Sequence, residues 1–262
     1  MRKMLMVFRR SVRSEWLKTR RSKVSWVAAA GGLFAPLMLL TARVKNRGVL
    51  PVEDQPLEFW TGFWNQSWQG AAMLVLPLSA ILLVSVVTQI EVRANGWKQL
   101  EATPAPRAAI YLGKLTVILA QFVIMLAWFG LGLLGAAFGP SLAGAPRPPT
   151  PIPLGLFLER TGTLLVDGLP LIGLQYLIAL RSRSFLAPLG IGMAIWVASI
   201  STLSWEYTYL FPYGYAAIEY GTLVDPRAPS PAPIAVPALA SLVFLATAGA
   251  GYVAYRLKSD RG

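Results

Sequence analysis

The sequence contains no cysteine and no histidine. A zinc protease site, a haem ligand, a thiol nucleophile and a disulfide are therefore excluded. Charged residues are also scarce, at 14% of the chain, whereas 55% of the residues are hydrophobic. No soluble domain needs so much apolar surface, so the composition indicates an integral membrane protein.

A nucleotide-binding P-loop is missing as well. Gly113-Lys114 is followed by Leu115 instead of Ser or Thr, and it lacks the spaced upstream glycine. We therefore expect the chain to be no enzyme and to bind no cofactor of its own, so that any ATP use belongs to another chain. Arg and Lys interrupt the opening segment too often for a signal-peptide apolar core, which predicts an uncleaved first span.

Long apolar runs account for the hydrophobic excess. A bilayer core of about 30 Å takes about 20 residues of helix to cross. The predicted fold is all-α, an integral membrane bundle of six transmembrane helices, with the start of the fourth left open between Leu154 and Leu164. The spans are predicted at about residues 24–42, 70–90, 115–138, 154–180, 185–203 and 234–255.

The basic residues predict the orientation. With the amino terminus inside, 18 of the 24 Lys and Arg residues fall on cytoplasmic segments. Positive residues collect on that side, so both termini, including the tail at 256–262, are predicted to be cytoplasmic. Topology thus explains the net charge of +12, and nucleic acid is not needed as a partner.

Residues 1–23 form a predicted amphipathic helix on the membrane surface. Apolar side chains gather on one side and basic side chains on the other, where they can meet anionic lipid head groups. Glu15 departs from this pattern because it projects from the apolar side. Two interpretations stay open: pairing of Glu15 with water, Lys18 or Arg21, and contact with a partner subunit.

Aromatic residues cluster at two predicted outer positions. Trp60, Trp64 and Trp68 follow helical spacing into the second span, and a second cluster runs from Trp205 to Tyr220. Such rings favour the headgroup level and are typical of an aromatic belt. The alternative is a lateral gate or outer lid that contacts an amphiphilic substrate.

The fourth span carries a polar stripe of Glu159, Thr163 and Asp167 at spacings of four residues. Ionisable groups inside a span usually face the bundle interior and mark a pathway, which makes the stripe a candidate substrate pathway. If the helix begins near Leu164, both carboxylates instead lie close to outer water.

The cytoplasmic stretch between the second and third spans predicts a short helix over residues 97–102. This helix would place Trp97, Leu100 and Glu101 on one side, and Pro104 would end it. A connector at the membrane surface is the alternative interpretation.

This stretch resembles the membrane subunits of ABC-2-type transporters, in particular the small permeases related to the lantibiotic and bacitracin self-immunity exporters. The opening segment at residues 14–22 is similar to the amino-terminal segment of that family. The resemblance is carried, in order, by Glu91, Gly96-Trp97-Lys98-Gln99-Leu100, Pro104, Arg107 and Lys114.

The resemblance implies an exporter subunit in a bacterial plasma membrane for a peptide, a lipid-like molecule or another amphiphile, with a role in immunity to antimicrobial peptides. It implies two separate ATPase subunits that hold ATP and Mg, and a second permease subunit, identical or different. Residues 97–102 would be the coupling helix seated in the ATPase. The implied coupling residues are Glu91, Gly96, Trp97, Lys98, Leu100 and Glu101, with Glu15 on the surface helix.

Two other classes of protein remain in view. A membrane scaffold could use the surface helix and the loops only to dock partners. A secondary transporter could be driven by an ion gradient through Asp167 and Glu159, although the sequence shows no mid-bilayer charge pair and no inverted repeat with broken helices.

Overall fold

A computed structural model describes residues 2–45, 56–93, 106–182, 184–225, 227 and 230–259. These residues are almost entirely helical and contain no β-strand, so the predicted all-α class is confirmed. A π-helical turn, Ala71–Val75, joins the third helix to the fourth. The α-helices of the described residues are α1 (Arg2–Arg20), α2 (Val24–Lys45), α3 (Pro56–Gly70), α4 (Leu76–Arg93), α5 (Arg107–Phe138), α6 (Leu154–Arg181), α7 (Leu186–Ser201), α8 (Tyr215–Val224) and α9 (Val236–Ser259).

Five helical segments of the described residues are long and apolar enough to cross a bilayer. The fifth predicted span, residues 185–203, corresponds to α7, whose 16 residues cover about 24 Å at about 1.5 Å per residue. That length falls short of a bilayer core of about 30 Å. The five segments are Val24–Lys45, Pro56–Ile90, Arg107–Leu142, Leu154–Arg181 and Val236–Leu257.

Two of these segments begin earlier than the apolar runs. The second starts at Pro56 rather than at residue 70, and the third starts at Arg107 rather than at residue 115. An apolar run marks only the part of a helix that is kept away from water. The helix itself can extend beyond that run, because its backbone hydrogen bonds form in polar sequence as well. The fourth segment begins at Leu154, directly after Pro153, which decides between the two starts left open above.

Small residues let α2 and α5 approach closely. A Cβ placed on Gly32 would lie 2.2 Å from the carbonyl oxygen of Met125, and one on Gly132 would lie 2.8 Å from the Cβ of Pro36. Such glycines are typical of membrane helices whose backbones come close together. The close approaches occur at two points along α2, at Gly32 and at Pro36.

Both terminal helices meet the beginning of α5. Glu15 of α1 pairs with Lys114, and a guanidinium nitrogen of Arg107 donates a hydrogen bond of 3.5 Å to the carbonyl of Arg256 in α9. The Tyr111 hydroxyl donates to the carbonyl of Ala248 at 2.8 Å. The amino-terminal helix and the carboxyl-terminal part of α9 therefore lie at the same end of the bundle.

Candidate functional site

Glu15 joins α1 to α5 through a buried ion pair. Glu15 is 4% exposed, and its two carboxylate oxygens lie 2.5 Å from Lys18 Nζ and 2.9 Å from Lys114 Nζ. The backbones are close at this point, since a Cβ on Gly113 would lie 2.5 Å from the hydroxyl oxygen of Ser11.

Two opposing effects set the pKa of Glu15. Burial alone would raise this pKa, but the positive charges of Lys114 and Lys18 outweigh burial and hold it below its ordinary value. Glu15 is therefore ionised at neutral pH and bonded within its own chain. The predicted pairing of Glu15 with Lys18 is present. The pairing with Lys114 was missed, because a helical wheel of one helix cannot show which residues of another helix contact that helix.

The candidate coupling segment lies between α4 and α5. The helix predicted at residues 97–102, with Gly96, Trp97, Lys98, Leu100 and Glu101, falls outside the described residues. Glu91 belongs to the last turn of α4, and Arg107 begins α5. Lys114 is two helical turns from Arg107, so the ion pair with Glu15 lies close to the point where this segment enters the bundle.

The three residues of the polar stripe on the fourth span differ in how deeply they are buried. Glu159 is exposed and Thr163 is half-buried, with its hydroxyl donating to the backbone oxygen of Glu159 at 3.1 Å. Asp167 is only 2% exposed, and neither of its carboxylate oxygens has a hydrogen-bond partner among the described residues. Of the three residues, Asp167 alone presents buried, unsatisfied polar atoms.

Asp167 has charged neighbours toward the beginning of α6. The carboxylate of Glu219 on α8 interacts with it electrostatically, and Arg160 interacts in turn with Glu219. The Arg160 guanidinium also lies 5.9 Å from the ring centre of Trp68. A chain of charged groups thus leads from Arg160 to the buried carboxylate.

A second buried polar group on α6 is Gln175. Its side-chain nitrogen donates to the Ser85 hydroxyl at 3.0 Å and to the Pro188 carbonyl at 2.9 Å. Its oxygen accepts from the Tyr213 hydroxyl at 2.7 Å. The amide therefore ties together α4, α6, α7 and the turn before α8. Sequence reasoning missed it, although a lone Gln between Leu174 and Tyr176 in an apolar run was a usable signal.

The tryptophan stripe of α3 lies inside the protein. Trp60, Trp64 and Trp68 are fully buried, and the Trp64 ring meets Phe129 of α5 and Phe157 of α6 edge to face, at 5.8 and 5.0 Å. The belt interpretation is wrong for these three rings because neighbouring helices cover them. The alternative role in a substrate pathway stays a prediction.

The second aromatic cluster divides into two groups. Tyr213 and Tyr215 are 2% exposed and belong to the packed interior. Trp205 and Tyr207 are 47% and 44% exposed and lie on the segment that follows α7.

Residues 11–199 match the family described as ABC-2 family transporter protein. The chain belongs to this family. The match begins within α1 and extends through most of α7, so it includes Glu15, Lys114 and Asp167. A comparison with curated proteins found no match.

Membership of the ABC-2 family identifies the chain as a multi-pass membrane component of an ABC transporter. It is a transport component and not itself the ATPase, and the family implies an ABC ATPase as its partner. The narrower resemblance to the lantibiotic and bacitracin immunity exporters stays a prediction.

Proposed function

We propose that this chain is the membrane-spanning permease of an ABC exporter. It moves an amphiphilic substrate, a peptide or a lipid-like molecule, out of the cytoplasm or the membrane. A separate ATPase pair that holds ATP and Mg supplies the energy, and a second permease subunit completes the transporter. The observation that carries the proposal is the family match over residues 11–199.

The proposed topology has six crossings, with both termini in the cytoplasm of a bacterial cell. The contacts of α1 and α9 with the same end of α5 support it, because chain ends on one side require an even number of crossings. The short helix α7 is then the fifth of the six crossings in chain order, and α9 is the last. Met4 and Leu5 of α1 are 67% and 63% exposed, which suits a helix whose apolar side rests in the inner leaflet.

The proposed coupling runs from the ATPase into the base of α5. Residues 97–102 would sit in a cleft of the ATPase, with Trp97 as the apolar anchor. Closure of the ATPase pair would displace this segment and, through α5 and the Glu15–Lys114 ion pair, carry α1 with it. A rigid-body shift of packed helices of this kind is a common way to couple distant sites.

A test of the proposal uses Trp97→Ala, with Lys98→Ala as the matched control. A buried aromatic anchor contributes about 2 kcal/mol or more to an interface, whereas a charge at the rim contributes less. We expect Trp97→Ala to insert normally into the membrane, to weaken co-purification with the ATPase and to abolish substrate-stimulated ATP hydrolysis. Lys98→Ala should reduce both properties visibly less.

Normal ATPase binding together with normal coupling in Trp97→Ala would show that this helix is not the transmission point. Failure of the native chain to bind any ABC ATPase would contradict the exporter proposal itself and favour the scaffold.

A further inference from the structure

An open cleft of about 610 Å³ lies between the segment that follows α7 and the segment that precedes α9. It is located away from the end of the bundle where α1 and α9 meet α5. The residues of this cleft that matter here are Trp205, Glu206, Tyr207, Tyr209, Pro231 and Pro233.

Three aromatic residues line the cleft. The centres of the Trp205 and Tyr207 rings are 5.3 Å apart at an interplanar angle of 66°, and those of Tyr207 and Tyr209 are 6.2 Å apart at 51°. A T-shaped or tilted pair leaves more of the ring faces open than a parallel stack does. The cleft can therefore offer π-faces, which carry partial negative charge, to a ligand.

The charged side chain that lines the cleft is negative, like the partial charge of the ring faces. Glu206 lines it and is exposed, and the described lining residues include no Lys or Arg. A membrane-interface belt accounts for exposed rings but gives no reason for a carboxylate among them. A carboxylate beside aromatic faces is the combination that attracts an organic cation, because both groups favour positive charge and the rings tolerate its alkyl groups.

We propose that this cleft binds the alkylammonium head group of an amphiphile. The rings contact the alkyl groups around the nitrogen, Glu206 neutralises its charge, and Pro231 and Pro233, which also line the cleft, add apolar contacts. The same chemistry has two sources, a membrane lipid head group and the free amphiphile that the transporter carries. Binding in this cleft does not require the ATPase. This proposal can therefore fail while the proposed transport function holds, and the transport function can fail while the cleft still binds its ligand.

The test measures binding of choline and of its uncharged isostere 3,3-dimethyl-1-butanol. The full chain, labelled with 5-fluorotryptophan, is placed in phosphatidylglycerol nanodiscs and followed by fluorine NMR. The fluorine resonance that disappears in the Trp205→Phe variant is assigned to Trp205. Trp26 and Trp128 are 78% and 40% exposed and serve as internal controls away from the cleft.

We expect a saturable shift of the Trp205 resonance with choline and little shift with the neutral isostere. The control tryptophans should not respond. Glu206→Gln should weaken choline binding about fivefold, and Tyr207→Leu should weaken it by a similar factor, since each removes one of the groups that attract the cation.

Phosphatidylcholine nanodiscs distinguish the two sources. If a lipid head group occupies the cleft, the Trp205 resonance starts at its choline-saturated position and added choline has no further effect. If a free amphiphile is the ligand, choline shifts the resonance as it does in phosphatidylglycerol. Equal responses to choline and its isostere, or no response in phosphatidylglycerol, would overturn the proposal.

Discussion

At the scale of the residue, Asp167 is the most unusual feature of the bundle. A carboxylate in a membrane helix costs about 2.5 to 3.5 kcal/mol at mid-bilayer, and here both oxygens lack a hydrogen-bond partner among the described residues. A group that lowers the stability of the bundle in this way is more readily explained by substrate handling than by folding.

Asp167→Asn should therefore change transport without lowering stability. The substitution keeps the shape of the side chain and removes the charge, so the midpoint of thermal unfolding should stay equal or rise. We expect the rate of export to change severalfold for substrates that stimulate the ATPase. Glu159→Gln is the matched control, because Glu159 is exposed and should affect export little.

Unchanged transport in Asp167→Asn, Glu159→Gln and the double variant would mean that this stripe takes no part in substrate handling. A clear loss of stability in Asp167→Asn alone would instead indicate a structural role.

The Glu15 carboxylate predicts a specific pH dependence. Its pKa in the folded protein lies below the ordinary value of 4.5, so its stabilising effect is fully present above pH 4.5 and is lost as the pH falls through the lowered value. At neutral pH, Glu15→Gln should lower the unfolding free energy by about 3 kcal/mol, because it removes the negative partner of a buried ion pair with Lys114.

Thermal unfolding of the native chain and of Glu15→Gln across pH 7 to 3 checks this prediction. The difference in stability should be constant above pH 4.5 and shrink below it. A difference that does not depend on pH would show that the charge of Glu15 is not what holds α1 to α5.

At the scale of the element, α3 is held by its aromatic side. Trp60, Trp64 and Trp68 are fully buried, and the Trp60 indole nitrogen donates to the Pro149 carbonyl at 3.0 Å. Rings of this size bury much apolar surface, and edge-to-face contacts with neighbouring rings add to that contribution. The segment before the second predicted span is therefore part of the packed domain.

Trp64→Ala should destabilise the domain by about 3 to 5 kcal/mol, the usual cost of emptying a large aromatic site in a core. Trp26→Ala is the matched control, because Trp26 is 78% exposed and makes few contacts to lose. Thermal unfolding in one lipid composition compares the two. Equal effects would contradict the packing of α3 against α5 and α6.

At the scale of the whole molecule, the absence of cysteine allows single cysteines to report the topology. A membrane-impermeant thiol reagent added to intact cells should label Leu142→Cys and Ser204→Cys, and it should not label Ser184→Cys. All three positions are exposed on the protein. The comparison of Ser184 with Ser204 tests whether α7 crosses the membrane, since these residues lie beyond its two ends.

External labelling of Ser184→Cys, or protection of Ser204→Cys, would show that α7 does not cross the membrane. The two chain ends would then lie on opposite sides of the membrane.

The class of the protein was determined by the sequence alone. Helical apolar runs and the scarcity of charge are properties of consecutive residues, because the bilayer acts on each span separately, and they predicted the all-α membrane fold. The transporter family was predicted separately, from the resemblance carried by the stretch between Glu91 and Lys114. The first and last runs also located their helices closely, the fourth left its start open between Leu154 and Leu164, and the second and third marked only the apolar part of longer helices.

Only the tertiary structure decided how the faces of these helices are used. The Glu15–Lys114 pair joins residues 99 positions apart, and the Gln175 amide joins Ser85, Pro188 and Tyr213. The period of one helix shows that a face exists but not which neighbour covers it. For that reason the spacing of the tryptophans of α3 indicated an aromatic belt at the membrane interface, although in the folded chain α5 and α6 cover these rings.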